Sequence, residues 1–260
     1  MLLTNSLSLP IVLSVVSHGH GEMVQRLLYA LAKLGNQGVA RVVLTLNYPE
    51  PEPVPPLGGW PFLLQVRHNK VPQGFSVNHN DALKDAPEAY VCIINPDVQL
   101  CDDGLFSALV LTVQQAGVGL AYPTQIDEAG RVQDSEREVP TPWSLLRRYT
   151  MGRKETRAEW VNGAMWLLPN TTWRSVGGLD PSYFMYGEDV DFCLRLRLAG
   201  WMLARSTAVV VHAGQRASHR RLRHALWHIR SLLRLWTSGV FWRSRALLRR
   251  LPAASLLKSD

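Results

Sequence analysis

VGGLDPSYFMYGEDVDFCLRLRLAGW, residues 176–201, carries the strongest signals in the chain. Gly177-Gly178 closes a short helix that begins near Thr171. Tyr183, Phe184, Met185 and Tyr186 lead into Glu188, Asp189 and Asp191, three carboxylates within four residues. They open an amphipathic helix over 188–199 that Gly200 ends. The helix macrodipole favours acids in a first turn, which accounts for one or two of them. It does not account for the aromatic lead-in, or for a second acid motif, Asn95-Pro96-Asp97, at the end of an apolar strand far upstream. Ionised groups gather like this where a site needs a base or a cation ligand.

Working outward, residues 9–16 and 39–46 read as strands around a helix over 21–34, whose Val24, Leu27, Leu28, Leu31 and Leu34 form one stripe. Five prolines and two glycines make 48–59 a loop. A strand over 62–66, a helix over 76–86, a continuously apolar strand over 90–94 and a helix over 105–116 follow. This β-α-β-β-α-β-α order predicts an α/β sandwich around a largely parallel sheet. Further on, 119–126 and 131–134 read as strands around the turn at 127–130. Residues 139–157 read as irregular, 160–168 as a strand, 171–176 as a short helix and 202–212 as a last strand.

The chain has 260 residues, 47% of them hydrophobic, enough for a sizeable core. Cys92, Cys101 and Cys193 show no paired spacing, which argues for a reducing compartment and against structural zinc. Leu9 to Val16 is apolar like a signal-peptide core, but no Lys or Arg precedes Arg26 and no cleavage site follows, so it reads as a buried strand. No apolar run approaches the roughly 20 residues that span a bilayer.

Charge is unevenly spread. From Phe192 onward, thirteen Arg and Lys258 face one acid, Asp260, for a net +13, which leaves −6 on residues 1–191 out of the overall +7. In this basic tail Leu222, Leu226, Ile229, Leu233 and Trp236 lie on one helical stripe, with Arg220, Arg223, Trp227, Arg230 and Arg234 largely away from it. A second amphipathic piece sets Phe241, Trp242, Leu247, Leu248 and Leu251 among Arg243, Arg245, Arg249 and Arg250. Such a helix fits an anionic membrane surface. Packing on the body, or on a second subunit in a homodimer, competes for the apolar stripe. Nucleic acid would leave the stripe unused, so no nucleic-acid partner is expected.

Single motifs have bland readings. Asn95-Pro96-Asp97 is good turn chemistry, although the carboxyl ends of strands in open α/β sheets are where ligands bind, and a carboxylate there suits Mg²⁺ shared with substrate phosphates. The Asn-rich stretch 69–80 offers amides to hydroxyls or phosphates, or is an ordinary capped loop. His212, at the end of an apolar strand, gains weight only if Asp97 and the Glu188/Asp189 cluster share its cleft.

Taken together, these pieces resemble the inverting family 2 glycosyltransferases of the GT-A fold, and among them the bacterial O-antigen rhamnosyltransferases of lipopolysaccharide biosynthesis. The similar segments are VSHGH (16–20), GFSVNHN (74–80), INPDV (94–98), WVNGAMWLL (160–168), residues 176–201, VVHAG (210–214) and WHIRSLLR (227–234).

The resemblance implies a Rossmann-like nucleotide-sugar-binding sandwich with a mixed central sheet over 1–215, followed by a basic amphipathic helical tail over 216–260. It implies that Asp97 and His212 hold Mg²⁺ or Mn²⁺, that Asp189 is the general base, and that Glu188 orients acceptor or base. Ser17, His18, Asn47, Asn78, Asn80, Asn95 and Asp97 would lie at the donor. Asp191 is left between a site role and capping or pairing within the helix. Two departures bear on the nucleotide: Thr45-Leu46-Asn47 stands where many relatives carry an Asp, and His18 and His20 stand where others have Tyr-Asn.

The expected reaction moves a sugar, L-rhamnose from dTDP-L-rhamnose, to a GlcNAc-diphosphate-polyprenyl acceptor. It would take place in the cytoplasm, with the enzyme peripheral on the inner face of the plasma membrane. The alternatives are the same fold using a UDP-sugar, or a non-catalytic membrane- or glycan-binding protein.

Overall fold

A computed structural model describes residues 10–33, 38–151, 155–212 and 222–252. Leu9, Leu34, Ala213-Gly214, Arg220, Lys258 and Asp260 lie outside the described residues.

The N-terminal half runs β1 (Ile11–Ser17), α1 (Gly21–Lys33), β2 (Val39–Leu46), β3 (Leu63–His68), α2 (Phe75–Leu83), β4 (Tyr90–Ile94), β5 (Val98–Leu100) and α3 (Leu105–Val113). The second half adds β6 (Val118–Ile126), β7 (Glu136–Arg137), α4 (Pro142–Met151), β8 (Trp160–Val161), β9 (Met165–Pro169), α5 (Asn170–Ser175), α6 (Glu188–Leu198) and β10 (Met202–His212). The C-terminal helices are α7 (Leu222–Thr237) and α8 (Gly239–Leu248).

Eight strands form one sheet in the order β3-β2-β1-β4-β9-β6-β10-β5. Its first four strands are parallel. The sheet is more mixed than the element order predicts: β9 runs antiparallel between β4 and β6, and β5 antiparallel to β10. The consequence is functional. The carboxyl ends of β1, β2, β4, β6 and β10 meet on one edge, the side on which open α/β sheets bind ligands.

Strand periodicity sorts the core. Ile11, Leu13, Val15, Cys92 and Ile94 pack on one face with α1 and α3, while Val12, Val91 and Ile93 pack on the other with α6 and the C-terminal helices. Leu235 of α7 and Phe241 and Leu248 of α8 belong to this second core, all 3% exposed or less. The tail helices therefore share the hydrophobic core of the body.

Three local readings change. Residues 139–157 hold α4, which Pro and Arg content conceals; Pro142 sits in its first turn, where a missing N–H costs nothing. Ser144 N donates to Thr141 Oγ1 at 2.9 Å and Thr141 N to Ser144 Oγ at 2.8 Å, a reciprocal cap. Residues 131–134 make only an isolated bridge, Val132 to Ile126, beside the Asp127–Gly130 turn. The 160–168 strand is broken at Asn162-Gly163-Ala164, which turns the chain from β8 into β9.

Candidate active site

Asp97 follows β4 across Asn95-Pro96 and immediately precedes β5, whose Val98 pairs with His212 at the end of β10. Sheet register thus brings two residues 115 positions apart together, with His212 Nε2 3.4 Å from Asp97 Oδ2. Gln133 fixes the ring: its Oε1 is 3.2 Å from His212 Nδ1, and its Nε2 donates to the His212 carbonyl at 2.6 Å. Gln133 Oε1 can only accept, so Nδ1 carries the hydrogen of that bond and Nε2 is left facing a carboxylate oxygen. Two electron-pair donors facing one another at this separation fit a shared divalent cation. No group of three or more His, Cys, Asp or Glu side chains is assembled for a metal among the described residues, so substrate oxygens would complete the shell.

The acid cluster closes the opposite wall. Gly187, at φ 81°, precedes α6, and Tyr186 before it is held at φ 71°. A left-handed tyrosine is strained by roughly 1–3 kcal/mol and needs its surroundings to hold it. Those surroundings come from α7: the Tyr186 ring stacks on His228 at 3.6 Å, and its hydroxyl is 2.8 Å from His224 Nδ1. The turn then aims Glu188 and Asp189 into a cleft of about 370 Å³ whose walls also carry His18, Asn95, Asp97 and His212. The conditional weight on His212 is met: Asp97, Glu188, Asp189 and His212 line one cleft.

Burial raises the Asp189 carboxyl above its ordinary value, opposed by the Val190 N–H, the Arg137 guanidinium and the Gly163 N–H. Arg137 itself lies over the Trp160 ring at 5.6 Å. Glu188 is pushed well above the carboxylate range, by burial and then by the charge of Asp189, and its Oε2 has no hydrogen-bond partner among the described residues. A half-buried acid with a raised pKa is a better proton acceptor than an exposed one. Asp191 points elsewhere, 2.7 Å from Arg195 Nε on its own helix, which resolves its ambiguity toward structure.

The expected donor residues divide between the cleft wall and the layer behind it, where Asn47 Nδ2 lies 2.9 Å from His18 Nε2. His18 and Asn95 line the cleft, and burial lowers the His18 pKa, keeping that ring neutral. Ser17, Asn47, Asn78 and Asn80 stand behind the wall with their polar atoms engaged. Ser17 Oγ accepts from His20 N. Asn47 Oδ1 accepts from Asn69 Nδ2 and Gln73 N, and its Nδ2 donates to the Gln73 carbonyl. Asn78 accepts from Asn69 at 2.7 Å. Asn80 clamps both backbone groups of Leu179, at 2.7 and 2.8 Å, and so ties α2 to the segment that leads into the acids. Asparagine-rich sequence marks the lip of the cleft here, but the amides build it.

Tyr186 stands out in the sequence as part of the aromatic lead-in, whereas Gln133, Arg137, His224 and His228 are not singled out there. Only the last two left a readable trace: His224, His228, Ser231 and Leu235 recur at i, i+4, i+7 and i+11, a second stripe on α7 opposite the apolar one.

No protein-family model matches the chain. Among curated proteins it is 27% identical over 182 residues to the rhamnosyltransferase WbbL of Escherichia coli K12, covering 62% of this chain and 69% of that one. It is 29% identical over 140 residues to the N-acetylglucosaminyl-diphospho-decaprenol L-rhamnosyltransferase of Mycobacterium tuberculosis, covering 47% and 46%. The chain thus spans less than half of the mycobacterial relative.

Among solved structures, the mannosyltransferase PcManGT from Pyrobaculum calidifontis, in complex with GDP-Man and Mn²⁺, superposes with a TM-score of 0.56 at 14% identity over 94% of this chain and 77% of that one. S. aureus TarS 1-349 in complex with UDP-GlcNAc gives 0.52 at 14% identity over 79% and 56%. These likenesses speak to fold, the curated matches to chemistry, and they agree: the chain is a glycosyltransferase of the GT-A fold that resembles rhamnosyltransferases.

Proposed function

We propose that this enzyme transfers L-rhamnose from dTDP-L-rhamnose, with inversion, to a polyprenyl-diphosphate-linked sugar in cell-surface polysaccharide synthesis. It works peripherally on the inner face of the plasma membrane, with the 216–260 tail against anionic lipid. The observation that carries the reading is the convergence of Asp189 and the Asp97–His212 pair on one cleft. The names of the two curated relatives support the sugar, and the mycobacterial one supports the acceptor class.

Asp189 accepts the proton of an acceptor hydroxyl while that oxygen attacks the anomeric carbon from the face opposite the nucleotide. The carbon–oxygen bond to the diphosphate breaks, and the electron pair leaves with the diphosphate. A positioned base of this kind contributes about 10²–10⁴-fold. Glu188, whose carboxyl is held well above the ordinary carboxylate range by burial and the Asp189 charge, orients the acceptor or the base. Mg²⁺ or Mn²⁺ held by Asp97 and His212 would offset charge on the departing diphosphate. His18 and Asn95 face the donor from the cleft wall.

The test is nucleotide release from dTDP- and UDP-sugars, with Mg²⁺, Mn²⁺ or EDTA, in the presence of a synthetic GlcNAc-diphosphate-lipid. Metal-dependent, acceptor-stimulated turnover of dTDP-L-rhamnose, lost in Asp189→Asn, is expected. Turnover confined to a UDP-sugar would overturn the donor and keep the mechanism. Full turnover in Asp189→Asn would overturn the base.

A further inference from the structure

A second cavity, about 290 Å³, lies between α7 and the segment before α6, lined by Ser182, Phe184, Met185, Trp227, Arg230 and Arg234. The sequence alone points the tail arginines at an anionic partner, a lipid headgroup or a lipid-borne diphosphate, without choosing between residues. The structure places Arg230 and Arg234 on a specific lip. Arg234 bonds Asp180 at 3.0 Å and lies over the Tyr183 ring at 5.2 Å, which fixes its guanidinium. Arg230, one turn earlier, has no ion-pair partner among the described residues. Like charges at i and i+4 repel mildly on a helix, and an anion between them removes that cost. Phe184 and Trp227, with rings 5.2 Å apart, supply an apolar wall.

Position narrows the anion. The groove shares only Met185 with the cleft that carries Glu188 and Asp189, and Asp97 and His212 line that cleft and not the groove. A donor diphosphate at Asp97 belongs to the cleft and leaves the groove to another anion. An acceptor sugar at Asp189 has its own anomeric substituent free to cross Met185 into the groove. Beyond the lip, Leu226 and Leu233 flank Arg230 at i−4 and i+3 and stand 65% and 55% exposed, a course for a prenyl chain.

We infer that this groove is the seat of the acceptor's diphosphate, held by Arg230 and Arg234, with the isoprenoid leaving along the outer stripe of α7. Arginine forks match phosphate oxygens in pairs. The inference rests on the proposed lipid-linked acceptor and deepens it by assigning the residues that recognise it.

Three readouts on the full chain test it: farnesyl diphosphate binding, steady-state KM values, and binding to phosphatidylglycerol vesicles. Calorimetric binding of farnesyl diphosphate, with farnesol as control, needs no turnover. The acceptor KM uses a short-chain, water-soluble GlcNAc-diphosphate-lipid without membranes. Arg230→Gln is expected to weaken farnesyl diphosphate binding, and to raise the acceptor KM, by about tenfold to hundredfold, while the donor KM moves less than twofold. Arg243→Gln, on the exposed face of α8, serves as the charge-matched control.

An equal rise in the donor KM would assign the guanidinium to the donor and overturn the inference. Unchanged farnesyl diphosphate binding with lost binding to phosphatidylglycerol vesicles would assign it to lipid headgroups and also overturn it. Farnesyl diphosphate binding that Arg230→Gln abolishes upholds the groove even where no donor turns over. Turnover of dTDP-L-rhamnose with an unaltered acceptor KM in Arg230→Gln upholds the reaction and sinks the groove.

Discussion

Gly74→Ala isolates how α2 positions the turn that carries Glu188 and Asp189. Gly74 caps α2 at φ −69° and ψ 162°, extended backbone that alanine adopts freely, so the change tests space alone. A Cβ there would stand 2.7 Å from the Phe184 carbonyl oxygen, 2.9 Å from its Cα and 3.2 Å from its carbonyl carbon. All three are main-chain atoms and cannot swing aside. Phe75 N also donates to that carbonyl at 2.9 Å, so the contact cannot open without losing the bond. Overpacking of this kind costs about 1–3 kcal/mol. Relief comes from moving residues 184–187, the segment that aims Asp189, and a displacement near 1 Å at a reacting group costs about 10²-fold. Urea unfolding and initial rates at saturating substrates read the two effects. Gly239→Ala is the control, because nothing lies within 4 Å of its Cβ position, and a change under about 1 kcal/mol is expected. A Gly74→Ala enzyme with native stability and full turnover would refute the claim that this approach sets the turn.

Asp189→Asn should lower kcat by about 10²–10⁴-fold, and because burial raises the wild-type carboxyl, kcat/KM should climb with pH through a range above that of ordinary aspartates. Glu188 is raised more strongly, so folding stability falls as pH rises from the unfolded carboxylate pKa to the folded one; Glu188→Gln should therefore melt higher than wild type at neutral pH, and a lower melt would contradict the sign. Asp97→Ala and His212→Ala should each need more Mn²⁺ for half-maximal rate, measured by titration after EDTA. Leu235→Ala removes a fully buried side chain between α7 and the body and should cost about 2–5 kcal/mol in urea unfolding. Replacing Leu226, Ile229 and Leu233 together by Glu should abolish flotation with anionic vesicles and leave the melting temperature in place, since all three are at least 55% exposed.

The first half of the fold was readable because each element there follows one period. Val24, Leu27, Leu28 and Leu31 are all 2% exposed or less, and the continuously apolar strand at 90–94 is buried throughout. The antiparallel insertion of β9 was not readable, since strand direction is set by tertiary pairing and leaves no periodic trace. The cleft acids were legible as a cluster, and their partnership with Asp97 and His212 came from ordered similarity. Gln133 and Arg137 were illegible for a physical reason. They lie in a segment of weak local pattern, held by the buried Arg205–Glu136 pair at 2.7 Å and by the Tyr122 hydroxyl on the same carboxylate at 2.7 Å. Those contacts span 14 to 69 residues of sequence.

The tail reverses the usual logic of an amphipathic helix. A helix docked on a body buries its apolar stripe, yet α7 turns Leu226, Ile229 and Leu233 outward and docks through His224, His228, Ser231 and Leu235. That arrangement is costly unless both faces have partners. The inner face has them: Tyr186 stacks on His228, and Ser231 Oγ donates to the Met185 carbonyl at 3.0 Å. Removing the tail would therefore open the core at Leu235, Phe241 and Leu248 and release the strained Tyr186 turn beside Asp189, so a truncated enzyme that fails says nothing about lipid. The outer face, apolar and edged by arginine, has the chemistry of an anionic interface. The helix that would touch the membrane is also the helix that holds the catalytic turn. On the proposed reaction, a lipid-borne acceptor arriving at that surface would meet the helix that places its base.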